Sequence, residues 1–462
     1  MAAGEVSLYT CGPTVYGQLH VGNWAAYIYW DVLVRLLTAD DLVVTRVLNI
    51  TDVGHLVSDG DYGEDKLEKG ARRDGKTAWE VAELYTNDFI KGMQLLNMTP
   101  AMHLVKATDF IGQQLDLVRR LKDKGHTYQI SDGIYFDTST FPRYDDFADL
   151  RLDAQRAGAR IQHNPEKRQP SDFALWKFTP KGQGRDMQWT TPGDLTEHNE
   201  EQMGFPGWHL ECSAMALSLL GETIDIHTGG IDHIPVHHTN EIAQSESATG
   251  KPMSHFWLHN NHLKSDGTKI SKSLENGYSL NDLVKEGYSP LDFRLFVLQS
   301  HYRSEGNFSF ENIEAAARRR HHWRNAAALR HQTHDTLNNT APSTIGLADS
   351  HGLREALEND LDTPAALRLV DEVFNLFANQ KLSHGLQEGL IVFIEAVDQL
   401  LGLELLATSP DISDDTKLLI VERQRARDAQ DWAHSDEVRR QIEKSGITVR
   451  DTAFGPIWEY IA

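Results

Sequence analysis

The sequence predicts an α/β protein built on a doubly wound parallel sheet, followed by a helical region. Three observations carry this. In the first hundred residues, short apolar or β-branched runs alternate with longer stretches of helical apolar spacing. Between residues 125 and 205 that rhythm breaks, as an inserted subdomain would break it, and strand and helix then resume. From residue 311 the periodicity turns helical.

Each element follows from its local pattern. SLYTC is a short strand, and GNWAAYIYWDVLVRLL carries helical apolar spacing. LVVTRVLNI is a β-branched run suited to a buried parallel strand. TAWEVAELYTNDFIKGMQLL reads as helix and MHLVKA as a further strand. Strand, helix, strand at this spacing is Rossmann-like, and such sheets bind ligands beyond the carboxyl ends of their strands. TYQISDG and IYFDTST predict a hairpin that opens the insertion. TIDIHTGG then restores a strand and leads into a helix over HHTNEIAQSESA. ENIEAAARRRHHWRNAAALR, TPAALRLVDEVFNLFANQ and GLQEGLIVFIEAVDQLLG predict a helical bundle, and ATSPDISDD introduces one more helix and a small tail ending in AFGPIWEYIA.

Composition narrows the function. With 462 residues, 40% of them apolar and 24% charged, the chain has the balance of a soluble globular protein of several domains. No run approaches eighteen uninterrupted apolar residues, and the start lacks a secretory signal, so no membrane partner is expected. Two cysteines 201 positions apart make no disulfide framework and point to a reducing cytoplasm, with thiols available to a metal or substrate. A net charge of −22 argues against a surface that tracks nucleic acid throughout, yet leaves room for one basic face.

Three stretches carry chemistry. The tetrad HVGN, His20 to Asn23, follows a strand and opens a helix whose first N–H groups can receive a phosphate. Gly22 has no side chain to hold a purine off the backbone, and His20 and Asn23 can donate to a ligand; a simple helix cap is the plain alternative. KISKS, residues 269 to 273, places Lys269 and Lys272 in a glycine-flanked loop suited to clamping a polyphosphate. Around GWHLECSAM and HTGGIDHIPVHHTNEIAQ, Cys212, a histidine and Glu241 are candidate metal ligands beside the distant Cys11. His237 and Glu241 stand at i and i+4 on one helix face, but His238 is within a turn as well, and spacing does not choose between them. Two unrelated buried cysteines fit that spacing better than a metal site does.

Taken together, CGPTVYGQLHVGN, NITD, GWHLECSAM, HHTNEIAQS, KISKSLEN and DTPAAL resemble the cysteinyl-tRNA synthetases, a family of class I aminoacyl-tRNA ligases, almost from end to end. The resemblance implies ligation of one zinc ion per chain by Cys11, Cys212, His237 and Glu241, a cysteine pocket of Thr51, Trp208 and His227, and Mg²⁺ with ATP. ATP is expected at Gly12, Thr14, His20, Gly22 and Asn23 and at Lys269 and Lys272, with His20, Asn23 and the two lysines catalytic. Zinc answers a problem of selection, because serine and cysteine differ by one atom, and a soft thiolate binds the metal far better than a neutral hydroxyl does. The partners implied are tRNA-Cys, ATP and L-cysteine, for a cytoplasmic monomer.

The same resemblance divides the chain into a first catalytic half (1–124), a connective insertion (125–205), a second catalytic half with the zinc site (206–262), the KISKS loop and stem-contact region (263–305), a tRNA-binding bundle (306–405) and a small anticodon-binding domain (411–462). Arg318, Arg319, Arg320 and Arg324 are candidates for RNA phosphates, and Trp458 for stacking on a base. The tail reads GPIWEYIA, with Glu459 where the family often has arginine, and the loop GGIDHIPVHHTNE departs from the family's usual G-G-x-D-L-x-F-P-H-H-E-N-E. Two alternatives remain: a ligase joining cysteine to an amino sugar, as in mycothiol assembly, and a catalytically silent paralogue that only binds.

Overall fold

Short β-branched runs do become strands of a parallel sheet. The computed structural model describes residues 4–53, 65–148, 164–180, 182, 184–270, 276–334 and 347–461. Its chain forms two units, one of Met1–Trp30, Asp41–Gln94 and Thr99–His262, the other of Asp31–Asp40, Leu95–Met98 and Leu263–Ala462.

In the first unit the chain runs through β1 (Glu5–Thr10), α1 (Val21–Ala39), β2 (Val43–Ile50), α2 (Lys66–Asp74), α3 (Ala78–Leu95) and β3 (His103–Lys106). After α4 (Ile111–Asp123) come β4 (Thr127–Ile130), β5 (Gly133–Phe136), β6 (Phe173–Phe178), β7 (Trp189–Thr191) and β8 (Gln202–Pro206). Then follow α5 (Trp208–Leu220), β9 (Ile224–Gly230), α6 (Thr239–Thr249) and β10 (Ser254–Asn260). Five of these strands form one parallel sheet in the order β10-β9-β1-β2-β3. From β1 the chain winds outward to β2 and β3, whereas β9 and β10 extend the sheet on the other side of β1. Between β1 and β9 the connections therefore part, which is where a doubly wound sheet opens a crevice at its carboxyl edge. Apolar packing holds α1 to α3, with Trp24 stacked on Phe89 at 5.3 Å between ring centroids.

The hairpin expected at the start of the insertion is β4–β5, paired antiparallel from Thr127 with Phe136 to Ile130 with Gly133. It belongs to a second, antiparallel sheet of order β4-β5-β6-β8-β7. Phe136, Phe173, Leu175 and Trp176 of this sheet share a core with Val118 and Leu121 of α4 and Leu210 and Ala214 of α5. The core thus fixes α5, which carries the second cysteine.

The second unit begins with β11 (Leu263–Ser265), β12 (Thr268–Lys269), α7 (Leu280–Lys285), α8 (Pro290–Leu298) and β13 (Gly306–Phe308). Its helices continue with α9 (Phe310–Ala328), α10 (Leu347–Glu358), α11 (Thr363–Ala378), α12 (His384–Leu401) and α13 (Leu405–Thr408). It ends with α14 (Asp414–Asp428), α15 (Trp432–Lys444) and an antiparallel hairpin of β14 (Ile447–Thr452) and β15 (Gly455–Tyr460). The sequence reading expects one helix after residue 410, and the structure has two. Gln430, at φ +58°, turns the chain between them, and Asp431 caps the second by accepting from the His434 N–H.

Two expectations about RNA-facing residues are corrected here. Arg320 is buried and donates its Nε–H to Asp292 at 2.6 Å, so it holds α9 to α8 and is not presented to phosphates. Trp458 is 5% exposed and packs with Ala328, Val438, Ile442, Ile447 and Val449, which leaves no free ring face for a base. Arg319 reaches Asp371 at 2.6 Å, and Arg324 donates to the Thr408 carbonyl at 2.9 Å; only Arg318 of the four candidates is well exposed, paired with Glu314 one turn away. No described helix is long and apolar enough to cross a membrane.

Candidate functional site

The site grows from the carboxyl ends of β1 and β9. Beyond Thr10 the chain stays extended beside its neighbours: the Cys11 N–H donates to the Thr228 carbonyl at 3.1 Å, and Thr14 forms an isolated parallel bridge with Thr51. Gly12 makes this approach possible, because a Cβ at that position would lie 1.6 Å from the Asn49 carbonyl oxygen. Its N–H donates to Asn49 Oδ1 at 2.8 Å. Cys11 and Gly12 are thereby held between β9 and β2, by the Thr228 carbonyl on one side and the Asn49 side chain on the other.

The opposite wall comes from the segment after β9. A 3₁₀ turn (Ile231–His233) and a single π turn (Ile234–His238) run directly into α6. Such π turns recur at functional sites because they re-aim side chains within a helix. His237 Nε2 comes to 2.9 Å from Glu241 Oε1, and His227 Nε2 of β9 to 3.0 Å from Glu241 Oε2. Cys212, on α5, completes a group in which the ligating atoms of Cys11, Cys212, His237 and Glu241 all lie within 4.8 Å of one another, every residue buried. Cys11, Cys212, His237 and Glu241, more than two hundred positions apart at the extremes, thus meet. His238, the alternative left open by spacing, also faces the group, with Nε2 3.4 Å from Cys11 Sγ.

The donor set fits a metal ion. Bonds of about 2.0–2.3 Å to N, O and S ligands imply ligand-to-ligand edges of about 3.3–3.8 Å in a tetrahedron. The 2.9 Å between His237 and Glu241 and the 3.9 Å between Cys11 and Glu241 bracket that range. Electrostatics agree. Burial pushes the Cys11 thiol up, while the hydrogen bond from Cys11 holds Cys212 down to about 6. Burial opposes the charge on Glu241, but His227 and His237 hold its carboxyl well below the usual carboxylate range. For His237, burial works downward and is outweighed by Glu241 and Cys212, which bring the ring up to about 10. A cation entering here takes the place of protons on His237 and Cys11, so binding releases protons.

Sequence reasoning missed several residues around this group. His209 Nδ1 lies 3.0 Å from His237 Nδ1, and His259 Nε2 lies 2.8 Å from His238 Nδ1. His233 packs beside both His237 and His238. Gly229 leaves room for this crowd, since a Cβ there would meet His233 and His238 at 2.6 and 2.7 Å. Tyr9 and Glu211 are fully buried nearby, burial raising both well above their ordinary values. Single histidines have no signature in a sequence with 22 of them; around this cluster the sequence marks only the H-H pair before T-N-E and, through the family resemblance, His227.

Of the expected cysteine-pocket residues, Trp208 lies 4.5 Å from the His237 ring and His227 bonds Glu241, so both touch the cluster. Thr51 is buried at the end of β2, its hydroxyl accepting from Asn49 Nδ2 at 3.2 Å. At the start of α1, the His20 N–H donates to Asn23 Oδ1 at 3.2 Å, and the Asn23 N–H donates to His20 Nδ1 at 3.3 Å. This reciprocal cap leaves Nδ1 as acceptor, so the neutral ring carries its proton on Nε2. Gly22 follows in the first turn. In the second unit Lys269 is exposed at the end of β12, and Lys272 lies outside the described residues.

A parallel sheet with its reactive groups at the switch point, a helix opened by HVGN and a KISKS sequence define a class I aminoacyl-tRNA synthetase. Residues 1–318 match the model of the tRNA synthetases class I (C) catalytic domain, and residues 409–455 the cysteinyl-tRNA ligase anticodon binding domain. The chain is 38% identical to a cysteine–tRNA ligase of Treponema denticola, covering 99% of this chain and 95% of that one. It is 37% identical to one from Thermus thermophilus, covering 98% and 95%. Among solved structures it resembles a Mycobacterium tuberculosis methionyl-tRNA synthetase in complex with methionyl-adenylate, with a TM-score of 0.61 at 16% identity over 87% of this chain and 93% of that one. It also resembles the agnB2 LeuRS of Agrobacterium radiobacter K84 in a ternary complex with tRNA and LeuAMS, with a TM-score of 0.64 at 12% identity over 89% and 86%. The chain belongs to the cysteine–tRNA ligase family.

Proposed function

We propose that this chain activates L-cysteine with ATP and transfers it to the 3′ end of tRNA-Cys, and that the ion held by Cys11, Cys212, His237 and Glu241 is zinc. The observation that carries the reading is the convergence of those four buried side chains at the carboxyl ends of β1 and β9. Two thiols, an imidazole and a carboxylate are a donor set that suits zinc. When bound, zinc would supply a preference for a soft thiolate over a neutral hydroxyl, which separates cysteine from serine.

The chain's own residues do the rest. Trp208 and His227 border the cluster and so bound the space for the amino acid. A cysteine carboxylate oxygen attacks the α-phosphorus, the bond to the β-phosphate breaks, and pyrophosphate leaves. His20, with its proton on Nε2, donates to the α-phosphate while Asn23 fixes the ring. Lys272, assisted by Lys269, holds the leaving pyrophosphate, and Mg²⁺ accompanies the nucleotide. A ribose hydroxyl of the tRNA then attacks the activated carbonyl and AMP leaves. A sequence match to an anticodon binding domain favours tRNA over an amino sugar as acceptor.

Cysteine-dependent ATP–pyrophosphate exchange tests the first step, with serine as the competing substrate. Losing one preorganised donor lowers such rates by roughly 10²–10³. Lys272→Ala is therefore expected to remove exchange while metal content stays unchanged; exchange at the unmutated rate would refute the assignment. Charging of tRNA-Cys tests the second step.

A further inference from the structure

The cluster holds more donors than one ion needs. Cys11 and Glu241 belong to two buried four-residue sets, one completed by Cys212 and His237, the other by His227 and His238, each with its ligating atoms within 4.8 Å of one another. Glu241 is divided between them, Oε1 facing His237 at 2.9 Å and Oε2 facing His227 at 3.0 Å. Cys11 likewise turns toward His238, at 3.4 Å from Nε2.

Both sets share one further feature. Behind His237 stands His209, with 3.0 Å between their Nδ1 atoms; behind His238 stands His259, at 2.8 Å from its Nδ1. A ligating histidine is ordinarily held by such a partner on its other nitrogen, which fixes the tautomer and aims the free nitrogen at the ion. The second set therefore has, at His238, the outer support that His237 has in the first, while His227 Nδ1 is buried without a hydrogen-bond partner among the described residues.

We infer that His227 and His238 form, with Cys11 and Glu241, a second position for a divalent metal ion, alternative to the first. The inference rests on the proposed use of this cluster as a metal centre. Because two ligands are shared, one chain holds one ion at a time. The first position offers two thiolates and the second only one, with two imidazoles. Imidazole-rich sets suit Ni²⁺ and Co²⁺, whereas a second thiolate favours zinc.

Cobalt reports the difference, since each thiolate adds a charge-transfer band in the near ultraviolet. In the full-length Cys212→Ser/His237→Gln variant, one Co²⁺ per chain is expected, with about half the thiolate absorbance of the unmutated chain. Adding His238→Gln should weaken that binding roughly 100-fold. The unmutated chain supplies an arm independent of that variant's folding: Ni²⁺ titrated onto the metal-free chain should give a one-thiolate nickel spectrum, and in His238→Gln it should not. His238→Gln alone is expected to keep two-thiolate Co²⁺ binding, which shows the first position intact. A folded double variant that binds no Co²⁺, or binding indifferent to His238, overturns the second position and leaves His238 as a hydrogen-bond partner of Cys11. An unmutated chain that binds neither Co²⁺ nor Zn²⁺ overturns the metal centre itself.

Discussion

At the scale of single residues, the site depends on side chains that are absent as much as on those present. Gly12 lies where any Cβ would strike the Asn49 carbonyl oxygen. Gly12→Ala must push β1 and β2 apart just where Cys11 leaves the sheet. Overpacking of this kind costs about 1–3 kcal/mol, so the midpoint of urea unfolding should fall and metal content with it. Trp458 and Trp432 give a contrasting pair. Trp458→Ala removes a buried indole from the C-terminal core and should cost about 3–5 kcal/mol. Trp432 is 56% exposed, and its replacement should change stability by less than about 0.5 kcal/mol. Chemical denaturation of the two variants decides whether Trp458 is a core residue. In sequence the two indoles look alike, because exposure depends on what packs opposite.

At the scale of elements, ion pairs join pieces of chain that sequence alone keeps apart. Asp31, in the second half of α1, accepts from Arg294 of α8 at 2.5 Å and from Arg35 at 2.7 Å, with Asp31 and Arg294 fully buried. Arg294 also donates to the carbonyls of Leu401 and Leu96 at 2.6 and 2.9 Å. Removing one partner leaves an uncompensated charge, so Asp31→Leu should cost about 3–5 kcal/mol in unfolding free energy. A smaller effect has a definite pH sign. Asp137, ahead of a short 3₁₀ turn in the insertion, is opposed by burial, yet Ser139 and Arg168 hold its carboxyl below the usual range. Its contribution is therefore present above the unfolded value of about 3.9 and is lost as pH falls through the lowered folded value. Asp137→Asn should flatten the acid limb of the stability profile. The apolar periodicity of α1, α3 and α12 announced those helices, as did the β-branched run of β2. The strands β6 to β8 announced themselves poorly, being short and separated by turn-rich chain, and α14 and α15 merged in the reading because their faces are largely polar.

At the scale of the whole molecule, the proposed metal ion would contribute to folding as well as to selection, because the unfolded chain scatters its ligands. Chelation should lower the melting temperature of the full chain and Zn²⁺ should restore it. The loss is about 2.7 kcal/mol if free metal had stood at about 100 times its Kd. Calorimetry before and after chelation measures it. The net charge of −22 makes tRNA binding a matter of local surface, and with Arg320 buried and Arg319 and Arg324 engaged, Arg318 is the exposed cation among the four considered on α9. By itself the sequence determined the α/β class, the HVGN and KISKS stretches and the i, i+4 relation of His237 and Glu241, since these are properties of neighbouring residues. Only the tertiary structure decided that Cys11 and Cys212 meet and that both His237 and His238 face them. It also decided that Trp458 and Arg320 are interior. The reason is physical: periodicity and caps act over a few residues, whereas a ligand set is assembled by strand order, and nothing in a 201-residue separation encodes which loops the sheet brings to the same edge.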